Sequence, residues 1–549
     1  MDQILKMKNS SLHIKIFRAV ILLMCLIFCN QFLSAQSNMW TWVYGNNPYQ
    51  QPPDSIQKPG NIFGGAAWID NAGKFWLFYN NLWKWDGSNW NFVKGDNGKG
   101  DYGFLGIPAS TNFPPVRSGC ITWKDYSGNI WLYGGGDGMN QTFNDLWKWD
   151  GTYWTWIGTN SYSQYGIKGV ANPKNWPMPL DAPSNWIDSK GNFWLFGGII
   201  TYFRGYPKFS NDLWKWDGVN WTWINGTGDS VTTKRIYGTK GISDKINMPE
   251  RRFGCASWID KNDNLYFFGG AIKNVSGILG TELFQNDLWK WDGTSWAWLG
   301  GSQWDNSEHY NDPYFPFINN YIGGNLGKYG FKGVPDTANW PPSRVYSSYW
   351  TDQDGNFWLF GGQTQNNLYK GIYLNDLWKW DGQFWTWISG DSIPSKGDYG
   401  TKGISDIKNQ PASRSRSFHW LDTNGNLWLY GGLKMDSSFT LNDMWVFNNG
   451  KGIPTAINNP ITPINTGQII LLNNPTRNNQ LSFILDKYYI KLNWEIFDLN
   501  GRPIQEGVFR MLSKGSRISA TIKSLTPGTY LVKLTGDDKS VQTKKWIRF

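Results

Sequence analysis

Through most of the chain, short apolar–polar alternations are separated by turn residues. One stretch shows the unit in full. Ile121-Thr122-Trp123-Lys124 leads through Asp125 to Asn129 into the apolar Ile130-Trp131-Leu132-Tyr133, which ends at Gly134-Gly135. A variable loop precedes Leu146-Trp147-Lys148-Trp149, the turn Asp150-Gly151, and Trp154-Thr155-Trp156-Ile157. Period-two alternation bounded by Gly, Asn and Asp predicts four short antiparallel strands per unit. The unit occurs six times, with opening tryptophans Trp68, Trp123, Trp186, Trp258, Trp350 and Trp420. The last unit stops after Asp443-Met444-Trp445-Val446-Phe447, and an unattached Trp40-Thr41-Trp42-Val43 precedes the first. The pattern therefore predicts that this N-terminal segment completes the sixth unit, which pairs two edges that would otherwise stay open.

Repeated glycines and aromatics at this period are a cue for radial all-β architectures. The units resemble kelch repeats: an apolar strand ending in Gly-Gly, a loop, Asn-Asp-Leu-Trp, and a final tryptophan strand. Pro-x-x-Arg before the first strand also fits, as at Pro114 with Arg117 and Pro341 with Arg344. Over residues 36–450 the resemblance, which extends to the central domain of galactose oxidase, implies an all-β, six-bladed kelch-type β-propeller closed by the N-terminal strand. Of the 38 tryptophans, 33 fall on repeat positions, which assigns them to packing.

Residues 451–468 are rich in Pro, Asn and Thr and read as a linker. Residues 469–549 alternate again and predict a small β-sandwich, with a hairpin turn at Leu499-Asn500-Gly501-Arg502. Its order of Asn474-Pro475, Phe497-Asp498-Leu499-Asn500-Gly501-Arg502, Leu525-Thr526-Pro527-Gly528-Thr529-Tyr530 and a terminal Lys544-Lys545-Trp546-Ile547-Arg548 resembles the type A sorting domain of type IX secretion. That resemblance implies the type IX machinery as partner and passage through the periplasm, then release or attachment at the outer-membrane surface. An immunoglobulin-like adhesive module is the other reading of the same strands.

At the other end, Lys6, Lys8, Lys15 and Arg18 precede an apolar run from Ala19 to Phe28 and then Leu33-Ser34-Ala35. This predicts a signal peptide over residues 1–35. No other apolar stretch is long enough for a transmembrane helix. The net charge of +10 sits at the ends, with four basic residues against one acidic in 1–35 and thirteen against six in 460–549. The repeat body is neutral, which argues against a nucleic-acid partner.

First and third turns are short in every unit, while second turns and unit-to-unit connections vary, so recognition is expected on one face. The longest connections carry Trp304, Tyr310, Tyr314, Phe317 and Tyr321, and Tyr202 with Arg204. These suit stacking on an extracellular glycan or protein, or a satellite core under a long loop. Arg117, Arg252, Arg344 and Arg414 share one position, replaced by Ile62 and Leu180 elsewhere, and read as structural arginines or as an axial anion site. Ser55, Ser230, Thr337 and Ser392 stand in Asp-Ser/Thr-apolar triplets resembling bacterial O-glycosylation sites.

Catalytic patterns are thin. A galactose-oxidase-like copper site resembles two His, two Tyr and a crosslinked Cys. After the leader the chain keeps only His309, His419, Cys120 and Cys255. No zinc spacing or Ser-His-Asp set stands out. The expectation is a binding module without metal or cofactor, the alternative being a carbohydrate-active oxidase, lyase or hydrolase.

Overall fold

Tryptophan and leucine alternating with lysine, threonine and asparagine give strands with one face for each neighbouring sheet, and the chain is built from such strands. The computed structural model describes residues 38–48, 59, 64–95, 98–138, 141–203, 206–228, 235–273, 282–302, 327–365, 371–434 and 440–449, then 470–472, 480–484, 489–498, 502–512, 517–522, 525–526, 528–536 and 541–548. The leader, the linker and the loop holding Trp304 to Tyr321 lie outside the described residues. The chain divides into two compact units, Met1–Ile457 and Asn458–Phe549.

The first unit is a β-propeller, and no helix occurs among the described residues. Six four-stranded antiparallel sheets are described. Five are continuous in sequence, over 66–95, 121–158, 184–225, 256–300 and 348–389. The sixth takes Phe418–Leu421, Leu427–Leu433 and Thr440–Asn448, and its outer strand is Met39–Tyr44. Trp40 pairs with Phe447 and Trp42 with Trp445. The first strand of each sheet packs on that of the next, and the strand at Phe418–Leu421 packs on Ala66–Ile69.

Large rings fill the spaces between sheets. Trp258 stacks on Phe357 of the next sheet at 5.3 Å, and Phe75 on Trp420 at 5.1 Å. Trp154, Trp221, Trp296, Trp385 and Trp40 occupy one equivalent outer-strand position, and all are almost wholly buried.

The shared arginine position explains the Asn-Asp-Leu-Trp motif. Arg117 reaches Asp145 with both terminal nitrogens, and its Nη1 also donates to the Gly134 carbonyl. Arg252 holds Asp287 in the same way, Arg344 holds Asp376, and Arg414 holds Asp443. All four pairs are buried. Desolvation works against each guanidinium, and the facing carboxylate outweighs it and raises the pKa. The same aspartates accept from the next tryptophan of the motif, as Trp147 Nε1 to Asp145 at 2.7 Å. They also accept from a tyrosine in the preceding connection: Tyr102, Tyr237, Tyr329 and Tyr399. In the third sheet Leu180 replaces arginine, and Asp212 instead accepts from Tyr165, Ser210 and the Gly228 N–H.

Gly-Gly joins neighbouring sheets. Gly198 N–H donates to the Arg252 carbonyl, Gly270 to Arg344 and Gly362 to Arg414. A Cβ on Gly197 would lie 2.5 Å from the Arg252 carbonyl oxygen, so no side chain fits there.

The connections add a fifth edge element that sequence periodicity does not reveal. In each Tyr-Gly-x-x-Gly segment the second glycine donates to the outer strand of the following sheet, as Gly333 to Trp387 O and Gly403 to Trp42 O. An asparagine side chain then covers the same strand: Asn112, Asn175, Asn247, Asn339 and Asn409 donate to Trp154, Trp221, Trp296, Trp385 and Trp40. Outer-edge carbonyls that would face solvent are thereby capped.

The second unit contains a three-stranded sheet (Ile470–Leu472, Gln480–Ile484, Arg517–Thr521) and a four-stranded one. Leu481 and Phe483 from the first pack with Leu492, Trp494, Ile496, Val532 and Leu534 from the second in one core. Asp498 N–H bonds the Arg502 carbonyl across the expected hairpin turn.

Breaking a buried ion pair strands a charge. Arg344→Ala is expected to lower unfolding free energy by about 3–5 kcal/mol. The double change Arg344→Leu with Asp376→Asn should cost less than Arg344→Ala alone, as chemical denaturation of the purified propeller would show.

Candidate functional site

At the start of each first strand one residue adopts a left-handed backbone and faces the propeller axis. These are Gly64, Gly119, Ala182, Gly254, Tyr346 and Arg416, with φ between 54° and 68°. Their peptides form a closed belt. Gly119 N–H donates to Gly64 O, Ala182 to Gly119, Gly254 to Ala182, Tyr346 to Gly254, Arg416 to Tyr346, and Gly64 back to Arg416. Glycine takes this conformation at no steric cost. Three residues in the belt are not glycine, and Tyr346 and Arg416 hold bulky side chains there at a cost in strain.

The Arg416 guanidinium lies over the Tyr346 ring, 3.6 Å from its centroid. A Cβ on Gly64 would lie 3.6 Å from Arg416 Nη1 and 3.7 Å from Ser118 Cβ. Tyr373, buried on the neighbouring hairpin, has its phenol pKa raised by desolvation, and the charge of Arg416 partly opposes the shift. Among the described residues no carboxylate pairs with the Arg416 guanidinium. Asp181 precedes Ala182 on the opposite side of the belt.

Extended second turns surround this mouth. Ile199–Phe203 pairs with Tyr206–Phe209 in a separate two-stranded sheet within the second turn of the third blade sheet, and Arg252–Phe253, Ala271–Lys273 and Glu282–Phe284 form a three-stranded sheet. The fifth sheet extends through Gln363–Tyr373 and Thr364–Ile372 pairing. Phe209, Phe253, Ala271, Phe284 and Val345 pack together beneath these hairpins.

The opposite face is uniform. Each first turn closes by two backbone bonds, as Asp125 N–H to Asn129 O and Gly128 N–H to Asp125 O, and its aspartate accepts from turn amides and side chains. A cleft of about 310 Å³ there is lined by Asp352, Asp354, Trp358, Lys379 and Asp381. The Asp352 carboxylate is occupied by Asp354, Asn356 and Trp358 within its own turn.

The expected site residues are placed as follows. Trp304, Tyr310, Tyr314, Phe317, Tyr321, Arg204, Ser55 and Ser230 lie outside the described residues. Tyr202 is in the third-sheet hairpin, its backbone paired with Pro207. Thr337 and Ser392 are exposed in turns. Arg117, Arg252, Arg344 and Arg414 sit inside their sheets, with their donors engaged as described above. The arginine found in the belt is Arg416, two residues beyond Arg414. Its signal in the sequence is a non-glycine residue where equivalent positions carry Gly64, Gly119 and Gly254.

Buried reactive groups point to packing. Burial pushes the Cys120 and Cys255 thiols up to about 12. His419 lies against Tyr349 and Trp350 in the axial lining, and desolvation lowers its pKa to about 4. Among the described residues no group of three or more His, Cys, Asp or Glu is placed to hold a metal, and no helix is long and apolar enough to cross a membrane.

Residues 474–548 match the family model of the secretion system C-terminal sorting domain. The chain therefore ends in a sorting domain, and the protein is exported, to be secreted or attached at the outer-membrane surface. No curated protein matches the chain. Solved structures similar to it include YjhT (13% identity, 71% of this chain and 95% of that one, TM-score 0.42). Another is a fungal alcohol oxidase of the AA5 family in complex with copper (10%, 90% and 98%, 0.39). A third is an endo-arabinase from Bacteroides thetaiotaomicron (10%, 71% and 96%, 0.29). Likenesses this distant carry no inference about ligand or chemistry.

Because the folded His419 resists protonation, the unfolded chain binds the proton first as pH falls. Its contribution is complete above pH 6.5 and is lost on descent toward pH 4. Thermal or urea unfolding between pH 7 and 4 should show His419→Gln losing less stability than the parent, by up to roughly 3 kcal/mol.

Proposed function

We propose that the first unit is a six-bladed kelch-type propeller that binds an extracellular glycan or protein, delivered by type IX secretion after removal of the 1–35 leader. The asymmetry of the two faces carries this reading. First turns on one face repeat a single hydrogen-bonded form, whereas the extended hairpins and the strained belt residues gather around the axis on the other. Variation confined to one rim of a rigid scaffold is the usual arrangement of a recognition surface. The buried thiols and the suppressed His419 favour binding over nucleophilic or general-base chemistry at neutral pH.

The test is a glycan and cell-wall array on the purified propeller, with turnover assayed on each hit. Retained ligand without product is expected. Product from any hit would replace this reading with that of a carbohydrate-active enzyme. Deleting 472–549 should leave the protein in the periplasm, and unchanged surface levels on fractionation would remove the sorting role. Thr337 and Ser392, with Ser55 and Ser230, are proposed O-glycan attachment sites, so intact mass of the native protein should exceed that of the polypeptide.

A further inference from the structure

We propose that Arg416 anchors a carboxylate of the ligand and that the ligand is an acidic sugar, an inference that rests on the binding-module reading above.

The four arginines that precede first strands have their charge spent. Arg117, Arg252, Arg344 and Arg414 are buried, each bidentate to its own aspartate. Arg416 is only partly buried, and among the described residues its guanidinium makes no hydrogen bond or ion pair. It stacks on the Tyr346 ring, 3.6 Å from the centroid. Stacking on an aromatic face fixes the plane of a guanidinium and leaves its in-plane N–H donors directed outward. Two parallel donors held in that way match the two oxygens of a carboxylate.

The belt sets where that carboxylate would lie. Nη1 stands over Gly64, where there is no side chain, and Gly119 follows next around the ring. A side chain at Gly64 would find room, whereas the space over Gly119 is filled by the Asp181 carboxylate, so the open position beside Nη1 is the one over Gly64. The Asp181 carboxylate lies against Gly119, two places round the belt from Arg416, and disfavours a second anionic group there. Tyr346 stacks on the cation, Tyr373 lies within reach of its charge, and Ser118 borders the same Gly64 position. An aromatic face beside a cation suits the apolar face of a sugar ring that carries a carboxylate.

The backbone offers a clean variant. Arg416 has φ of 54°, which glycine adopts without strain, so Arg416→Gly removes the cation without disturbing the belt. The probes are glucuronate and galacturonate oligosaccharides, their neutral glucose and galactose counterparts, and an acidic peptide. Titration calorimetry on the parent protein should show the uronates binding at least tenfold tighter than the neutral sugars, with affinity falling as salt rises. Arg416→Gly should melt at or above the parent temperature and abolish the uronate preference, and Arg416→Lys should recover only part of it. Equal affinity for acidic and neutral sugars, or a uronate preference that survives in Arg416→Gly, overturns the proposal while leaving the binding module intact. Binding of the acidic peptide alone overturns the sugar assignment. No binding of any array ligand would instead count against the binding-module reading.

Discussion

Four buried guanidinium–carboxylate pairs tie together positions that lie far apart in each repeat. The arginine precedes the first strand and the aspartate begins the third, 28 to 35 residues later. Removing two charges from water is costly, and the interaction is tolerable only when every donor and lone pair is engaged. Here the geometry meets that condition. The carboxylate takes two guanidinium nitrogens, an indole and a phenol, while the guanidinium also reaches two backbone carbonyls, as Arg117 does at Pro115 and Gly134. The tyrosine belongs to the connection, so one aspartate holds the inner edge, the third strand and the outer covering segment in register.

The third sheet shows how strict the requirement is. With Leu180 in place of arginine, Asp212 is kept but acquires Ser210 and Gly228 as donors. The first sheet carries Asn81 where the aspartate would be and Ile62 where the arginine would be. A buried acid is present only where donors meet it, which is what desolvation demands.

Rigidity at the inner edge is what allows strain at the mouth. Each left-handed belt residue is held by hydrogen bonds to both neighbours, and the Gly-Gly contacts fix adjoining sheets a few residues away. A scaffold so constrained can hold Tyr346 and Arg416 in a conformation that a flexible loop would relax. The polar chemistry of the face is thus separated in space: paired charges inside the sheets and, among the described residues, Arg416 without a carboxylate partner in the belt.

The repeat, its strands and the packing role of most tryptophans were legible from sequence, because alternation and turn residues are local and recur in register. Export was legible too, since the terminal motifs match the sorting-domain model over 474–548. Other features depended on contacts between distant segments. The Tyr-Gly-x-x-Gly connections read as loops until Asn339 and Gly333 are seen capping Trp385 and Trp387, and their tyrosines until they are seen bonding the aspartates. Arg414 and Arg416 differ by two positions and look alike in sequence, yet one is neutralised inside a sheet and the other stands over Gly64 at the axis. That difference follows from a backbone turn into the left-handed region, which residue type does not specify for arginine. Only closure of the belt, through six peptides from six sheets, decides it.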